Sequence, residues 1–325
     1  MWRFLVRRLT FFLVTLFLSS ALVFILTRVL PGDVARVILG REASAEQVAA
    51  KRAELGLNDP LIVQYGHWAL DFAAGNWGKT YSGAQENIRA VVSQRFVHSA
   101  WLAGLTLIIA VPLSVFLGVV AGLAEGKLPD NVISVLSLSV VSLPEFVTGL
   151  FLINTVALKW HDNFIARRIG WFPSSSFIRA ETPFREALPA LWLPAVAATL
   201  VLMAYVVRLV RAGVIEELKR DYVRTAVLKG LPYRVVVFKH ILRNALIPAI
   251  TVIATSTGWL MSGLVVIETV FSYPGLGGLL VNTAINNRDL PLIQAIVMVT
   301  VTTILVANFT ADVLYAVLNP RIRLE

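Results

Sequence analysis

No cysteine occurs among the 325 residues, so a disulfide framework, a thiolate metal site, an iron–sulfur cluster and a cysteine nucleophile are all excluded within this chain. Charge is scarce too. Asp, Glu, Lys and Arg make up 15% of the residues and hydrophobic types 57%, whereas an ordinary soluble domain is about 25% charged. That balance excludes a soluble enzyme of average make-up. A phosphate-cradling loop needs Gly, four residues, then Gly-Lys-Ser/Thr; the stretch Gly122 to Leu128 misses both the spacing and the hydroxyl. The histidines His67, His98, His161 and His240 form no His-Glu-x-x-His pair, and no Gly-x-Ser-x-Gly elbow is present. The chain is therefore expected to be non-catalytic, with no metal or cofactor of its own. Internal repeats, low-complexity tracts and heptad arrays are also missing.

What the sequence has instead is uncharged length. Six runs stand out: Leu9–Thr27, Ser99–Ala124, Asn131–Leu158 interrupted by Glu145, Ala187–Val207, Asn244–Ile267 and Leu290–Ala311. At 1.5 Å per residue each can cross about 30 Å of hydrocarbon as a helix. Transmembrane strands would be about half as long and would alternate in polarity. The expected fold is all-α and integral to the membrane, with six transmembrane helices. Arg3, Arg7 and Arg8 precede the first run as in a secretory signal, but its apolar core is too long and the Arg28-Val-Leu-Pro-Gly sequence offers no small-residue cleavage site. It reads as a retained helix.

Orientation follows from Lys and Arg near the span ends. The N-terminus, the segment Arg208–Arg243 with nine basic and three acidic residues, and the tail with Arg321 and Arg323 should face the cytoplasm. Residues 1–30 form the first span and its inner end. Residues 31–98 form an extracytoplasmic loop, and 99–325 a five-helix core. The net charge of +9 is thus assigned to topology, and a nucleic-acid partner is not expected. In the outer loop, Ser44-Ala-Glu-Gln47 looks like a capping box opening a helix that Gly56 can close. A second helical pattern runs from Pro60 to Gly75 and carries the Trp and Tyr of an interfacial element.

Polar groups inside the apolar runs are the candidates for a path. Glu145 follows Pro144 and, on a 100° wheel, shares a face with Ser134, Ser137, Thr148 and Thr155. Thr251, Thr255, Gly258 and Ser262 make a narrow stripe in the fifth run. Ser137, Glu145, Thr148, Thr251, Thr255 and Ser262 therefore read as a translocation lining, or as hydrogen bonding and small-residue packing between helices, packing being the commoner cause of a stripe like that in the fifth run. Gly118-x-x-x-Gly122 reads as packing.

The stretch Glu216–Pro248 contains a helix ending near Lys229, a Gly230 stop, and a second helix opened by Pro232. Tyr222, Val223, Ala226 and Val227 offer apolar surface ringed by Arg220, Arg224 and Lys229. Such a helix pair buries that face in a partner's groove or rests on anionic headgroups.

Here the sequence resembles a known family. Arg224-Thr-Ala226-x-x-x-Gly230 sits where ABC-importer permeases carry a Glu-Ala-Ala-x3-Gly coupling motif. Asp221-Tyr-Val-Arg-Thr-Ala, His240-Ile-Leu-Arg-Asn-Ala-Leu-Ile-Pro248, Leu55-Gly-Leu-Asn-Asp-Pro-Leu61, Gly75-Asn-Trp-Gly78, Glu268-Thr-Val-Phe-Ser-Tyr-Pro-Gly-Leu-Gly277 and Asn319-Pro-Arg321 are similar to the oligopeptide and dipeptide permease branch. The Glu-Ala-Ala triplet is Arg-Thr-Ala here. The resemblance implies a type I importer permease in a bacterial plasma membrane, with both termini cytoplasmic. Its implied partners are a second permease, two ATPase subunits that bind ATP and Mg, an extracytoplasmic solute-binding protein and a peptide cargo. It implies ATPase coupling through Asp221, Tyr222, Val223, Arg224, Thr225, Ala226, Lys229, Gly230, Leu231, Pro232 and Tyr233. Glu268, Phe271, Tyr273 and Pro274 become an outer gate or a binding-protein contact, and Pro274-Gly275 with Gly277-Gly278 reads equally as a tight re-entrant turn. Two alternatives stand beside it: the same architecture carrying nickel, glutathione or another solute, and an ion-coupled transporter using Glu145.

Overall fold

The computed structural model describes residues 2–29, 34–40, 42–81, 85–159, 172–179 and 181–318, and among these helices are joined by turns and irregular segments, with one isolated β-bridge between Lys79 and Asn87. Four helices are long and apolar enough to cross a membrane unbroken: α1 (Trp2–Val29), α5 (Ile88–Leu123), α8 (Phe184–Leu218) and α15 (Leu290–Leu318). The short helices α2 (Val34–Leu39), α3 (Ala45–Glu54) and α4 (Leu61–Ala73) lie between α1 and α5. Two further crossings are bent pairs, which bring the number to six if each pair is one span.

One pair is α6 (Leu128–Ser142) with α7 (Glu145–Leu152), whose axis, continued through a widened turn at Ile153–Lys159, breaks by 104°. Leu143 is extended and Pro144 caps the new helix, as expected where proline forbids the preceding residue a helical conformation. The other pair bends by 50° between Ala245 and Ile247, ahead of Pro248. The third run is therefore two helices and not one wheel. The single straight wheel read from the sequence is thereby corrected: Ser134 and Ser137 lie on one helix and Glu145 and Thr148 on the next.

The signals between α1 and α5 take the form their chemistry dictates. Ser44 and Gln47 close a reciprocal capping box on α3, Pro60 opens α4, and Gly75 at φ +81° ends it. α4 stacks Tyr65, Trp68 and Phe72 against Phe24 of α1 and Trp77 beyond.

The centre of the molecule is the α5–α8 pair. α8 keeps 61% of its most apolar window buried, against 17% for α1, so α8 is the axis and α1 the exposed edge. Gly118 and Gly122 make the close approach possible, since a Cβ at either would stand 2.6 or 2.7 Å from the Cβ of Val210 or Val214. α15 packs on α1, with an Arg8–Asp312 ion pair at 3.1 Å and a Gln294 Nε2 to Thr27 Oγ1 hydrogen bond at 2.7 Å.

Replacing Gly118 by Ala should cost about 1–3 kcal/mol through overpacking. Gly104→Ala, where an added methyl meets nothing within 4 Å, should be near neutral. Thermal unfolding of the two variants in the same detergent checks the contrast, and equal losses would refute the packing argument.

Candidate functional site

Three features join the helices into a working unit: an elbow after α8, a cavity beside it and a buried carboxylate at the far end. The elbow begins where Arg220, extended, turns the chain out of α8 into α9 (Asp221–Leu228). Gly230 at φ +73° ends α9; its N–H donates to the Val227 carbonyl at 2.9 Å and Leu231 N–H to the Ala226 carbonyl at 3.3 Å. Those two hydrogen bonds are the Schellman closure that left-handed glycine permits. Pro232 then caps α10 (Tyr233–Val235), and a widened turn at Val236–Ile241 leads into α11 (Leu242–Ala245) and α12 (Ile247–Gly263).

Burial divides the elbow into two faces. Val223, Ala226, Val236, Val237 and Ile241 are buried within the chain itself. Leu228 at 79% and Phe238 at 71% exposure, with Val227, Leu231 and Tyr233, form the outward apolar face. Asp221, Arg224, Thr225, Lys229, Gly230 and Pro232 are also exposed around it. Val223 and Ala226 thus look inward, and Leu228 and Phe238, unremarked in the sequence, look outward. The inward core leaves those residues no room at a partner's surface. Their signal was present only as apolar residues among basic ones, without a sign of which side the parent bundle occupies.

Tyr222 ties the elbow to both neighbouring spans. Its hydroxyl donates to the Glu217 carboxylate on α8, accepts from Asn244 Nδ2 at 3.1 Å and lies 3.3 Å from the His240 carbonyl. Burial, and then the bond to Glu217, push the phenol above its ordinary pKa. It therefore stays a neutral donor at physiological pH. Nearby, a Cβ on Gly213 would stand 2.5 Å from the Ala245 carbonyl oxygen, so α8 and α11 touch backbone to backbone.

A cavity of about 1140 Å³ opens beside α8, lined by Asn131, Ser134, Glu145, Tyr205, Arg208 and Trp259 among others. Of the six path candidates, Glu145 lines it. Ser137 and Thr148 are buried in helix packing, and Thr251 and Thr255 bond back to the Ile247 and Thr251 carbonyls of their own helix. Ser262 falls within α12, but its side chain lies outside the described residues. At the cavity's edge Arg211 grips Asp130 through two bonds, Nε to Oδ1 at 2.5 Å and Nη2 to Oδ2 at 2.8 Å. Asp130 is 2% exposed and also accepts from the Gly126 N–H at 2.9 Å. The pair fixes the α5–α6 turn to α8.

At the opposite end the chain folds back on itself between α13 (Val265–Val270) and α14 (Leu276–Leu279). Glu268, 1% exposed, accepts from Ser99 Oγ at 2.6 Å and from the Gly278 N–H at 3.0 Å; Ser99 Oγ in turn accepts from the Leu276 N–H at 2.9 Å. Tyr273 donates to the His98 carbonyl at 2.8 Å, and the His98 Nδ1–H donates to the Pro274 carbonyl at 3.0 Å. Phe271, Tyr273 and Pro274 are buried with Glu268. This is a re-entrant turn, locked to α5 by a carboxylate.

Such an arrangement of spans, elbow and re-entrant turn has known relatives. A family model described as binding-protein-dependent transport system inner membrane component matches residues 114–324, and its N-terminal companion matches residues 1–101. The chain belongs to this family of ABC permeases. As a permease subunit it is non-catalytic, and the family works in a complex with a partner permease, an ATPase and a binding protein. Family membership sets aside the ion-coupled alternative. The permease is 35% identical over 323 residues to the glutathione transport system permease protein GsiC of Shigella flexneri serotype 5b, 34% to that of Escherichia coli strain K12 and 35% to that of Salmonella choleraesuis, covering 99% of both chains in each case.

Glu268→Gln turns an acceptor into a donor facing either Ser99 or Gly278 N–H. A loss of about 1–3 kcal/mol is expected from the unsatisfied group, and Ser99→Ala should be strongly non-additive with it. A double-mutant cycle by thermal unfolding tests this; strict additivity would show that the two groups do not act together.

Proposed function

We propose that this permease forms one half of the translocation pathway of an ATP-driven importer of short peptides, with both termini on the cytoplasmic side. The exposed apolar elbow carries this reading. Leu228, Phe238, Tyr233 and Leu231 project from a short hairpin whose other face is anchored in the bundle, and a helix face of this kind is suited to the groove of a partner. In this role Asp221, Tyr222, Val223, Arg224, Thr225, Ala226, Lys229, Gly230, Leu231, Pro232 and Tyr233 divide their labour. Val223, Ala226 and Tyr222 make the hairpin rigid, Gly230 and Pro232 shape its turn, and the exposed residues meet the ATPase. ATP-driven closure of the motor then moves the hairpin, and α8 and α12 move with it.

Glu268, Phe271, Tyr273 and Pro274 serve as the hinge of an outer gate in this reading, because their burial leaves them no free surface for a docking protein. Residues 31–98 are the extracytoplasmic cap of the core at 99–325. The relatives' name, a glutathione transport system permease protein, supports a small peptide as cargo, as does a cavity that mixes an acid, a base and aromatic walls.

The test is Leu228→Asp in the complete transporter. Substrate-stimulated ATPase activity and uptake should both fall at least about tenfold, the scale of a hot-spot loss at an interface, with unchanged thermal stability. Ala226→Trp should instead lower stability, because that side chain is buried in the permease. Undiminished coupling in Leu228→Asp would remove the docking assignment. Uptake of labelled glutathione, competed by unlabelled di- and tripeptides, tests the cargo.

A further inference from the structure

The 1140 Å³ cavity contains one acid and two bases, and one of the bases is already committed. Arg211 is held by Asp130 through two hydrogen bonds. Glu145 and Arg208 make no hydrogen bond or ion pair with any described residue. The Arg208 guanidinium is exposed and the Glu145 carboxylate half-buried, so on the wall of one largely apolar cavity both charges are left for water or cargo to answer.

The two sit at opposite ends of it. Gly118 meets Val210 and Gly122 meets Val214, so α5 and α8 run parallel; α6 follows a tight turn from α5 and therefore runs antiparallel to α8. Asp130, at the start of α6, is level with Arg211, and Arg208 lies one turn along from it. Glu145 follows the far end of α6, beyond Ser142. Arg208 and the far end of α6 are thus separated by on the order of 13 Å along the helix axis at 1.5 Å per residue. An extended chain advances about 3.3–3.6 Å per residue, so that gap matches a peptide of about four residues or fewer with its end groups. Tyr205 and Trp259, both exposed, line the same cavity.

We propose that Glu145 and Arg208 read the two ends of a zwitterionic short peptide, Glu145 facing its ammonium group and Arg208 its carboxylate. The assignment rests on the peptide-importer reading and adds to it a specificity determinant inside the membrane part of the transporter. Arginine suits the carboxylate end because its fork donates to both oxygens, and the aromatic walls offer apolar contact to the side chains.

The experiment uses the complete transporter in proteoliposomes, with its own binding protein throughout, and one tripeptide in three forms: free, N-acetylated and C-amidated. Because the binding protein is the same in every arm, its own preference cancels when a variant is compared with the wild type. Glu145→Gln should reduce the free-to-acetylated uptake ratio by about tenfold and leave the free-to-amidated ratio within about twofold; Arg208→Gln should do the reverse, as expected for charge pairs in a desolvated site. Glu145→Asp and Arg208→Lys, which keep the charge, should retain most of each preference and so separate recognition from a folding defect. Equal effects of a variant on all three forms, or no effect, would overturn the proposal while leaving the importer standing. Absence of uptake of every form by the wild-type transporter would instead overturn the peptide reading beneath it.

Discussion

Two glycines one turn apart let α5 lie against α8 until the Val210 and Val214 side chains meet bare backbone. In hydrocarbon no hydrophobic effect draws helices together, because lipid tails are as apolar as leucine, so attraction has to come from close packing over a long contact. α5 and α8 are 36 and 35 residues long. Their contact is the frame, and the remaining elements of the core attach to one or other of the two. α6 returns along α8, the re-entrant turn is bonded to α5, and the elbow extends from the end of α8.

The attachments share a physical logic. Each replaces a flexible joint by a polar group whose bonds are satisfied, where half-satisfied groups would be costly. Asp130 is nearly inaccessible yet has Arg211, Ser134 and the Gly126 N–H around it. Glu268 has Ser99 and Gly278. Tyr222 has Glu217 and Asn244. Chain breaks in a membrane protein are tolerated where the freed backbone groups find such partners. The three clusters lie at the α5–α6 turn, at the re-entrant turn and at the elbow.

Much of this was legible because it is local. The capping box at Ser44, the stop at Gly230 and the start at Pro232 depend on a few consecutive residues, and each appears where its chemistry requires. The apolar length of the spans was legible for the same reason. What escaped was every property that depends on which way a helix faces. Pro144 announced a kink, but a 104° break puts Ser134 on one helix and Thr148 on the next, and nothing in the run gives the angle. Ala226 and Leu228 are both apolar residues on one short helix; the bundle's position alone makes one core and the other surface. Asp130 and Arg211 are 81 residues apart, and Tyr222 looked like part of a docking face because its bonds to Glu217 and Asn244 exist only once the chain has turned back.

α8 also explains how distant features can act together. Arg208 faces the cavity, Arg211 holds α6, and Glu217 holds the elbow, all within about 14 Å of helix at 1.5 Å per residue. A rigid helix transmits a rotation along that distance with little loss, so displacing the elbow turns the cavity wall and strains the α6 joint in the same movement. Coupling of this kind is reciprocal in binding free energy. A cargo that favours one orientation of Arg208 must, to the same extent, favour one position of the elbow and hence one state of whatever grips it. Tight binding alone gains nothing in such a device, because a ligand equally suited to both orientations shifts neither. The useful cavity is one that holds its cargo modestly and differently in the two states, and charges carried on separate helices, as Arg208 and Glu145 are, suit that requirement better than a uniformly apolar pocket.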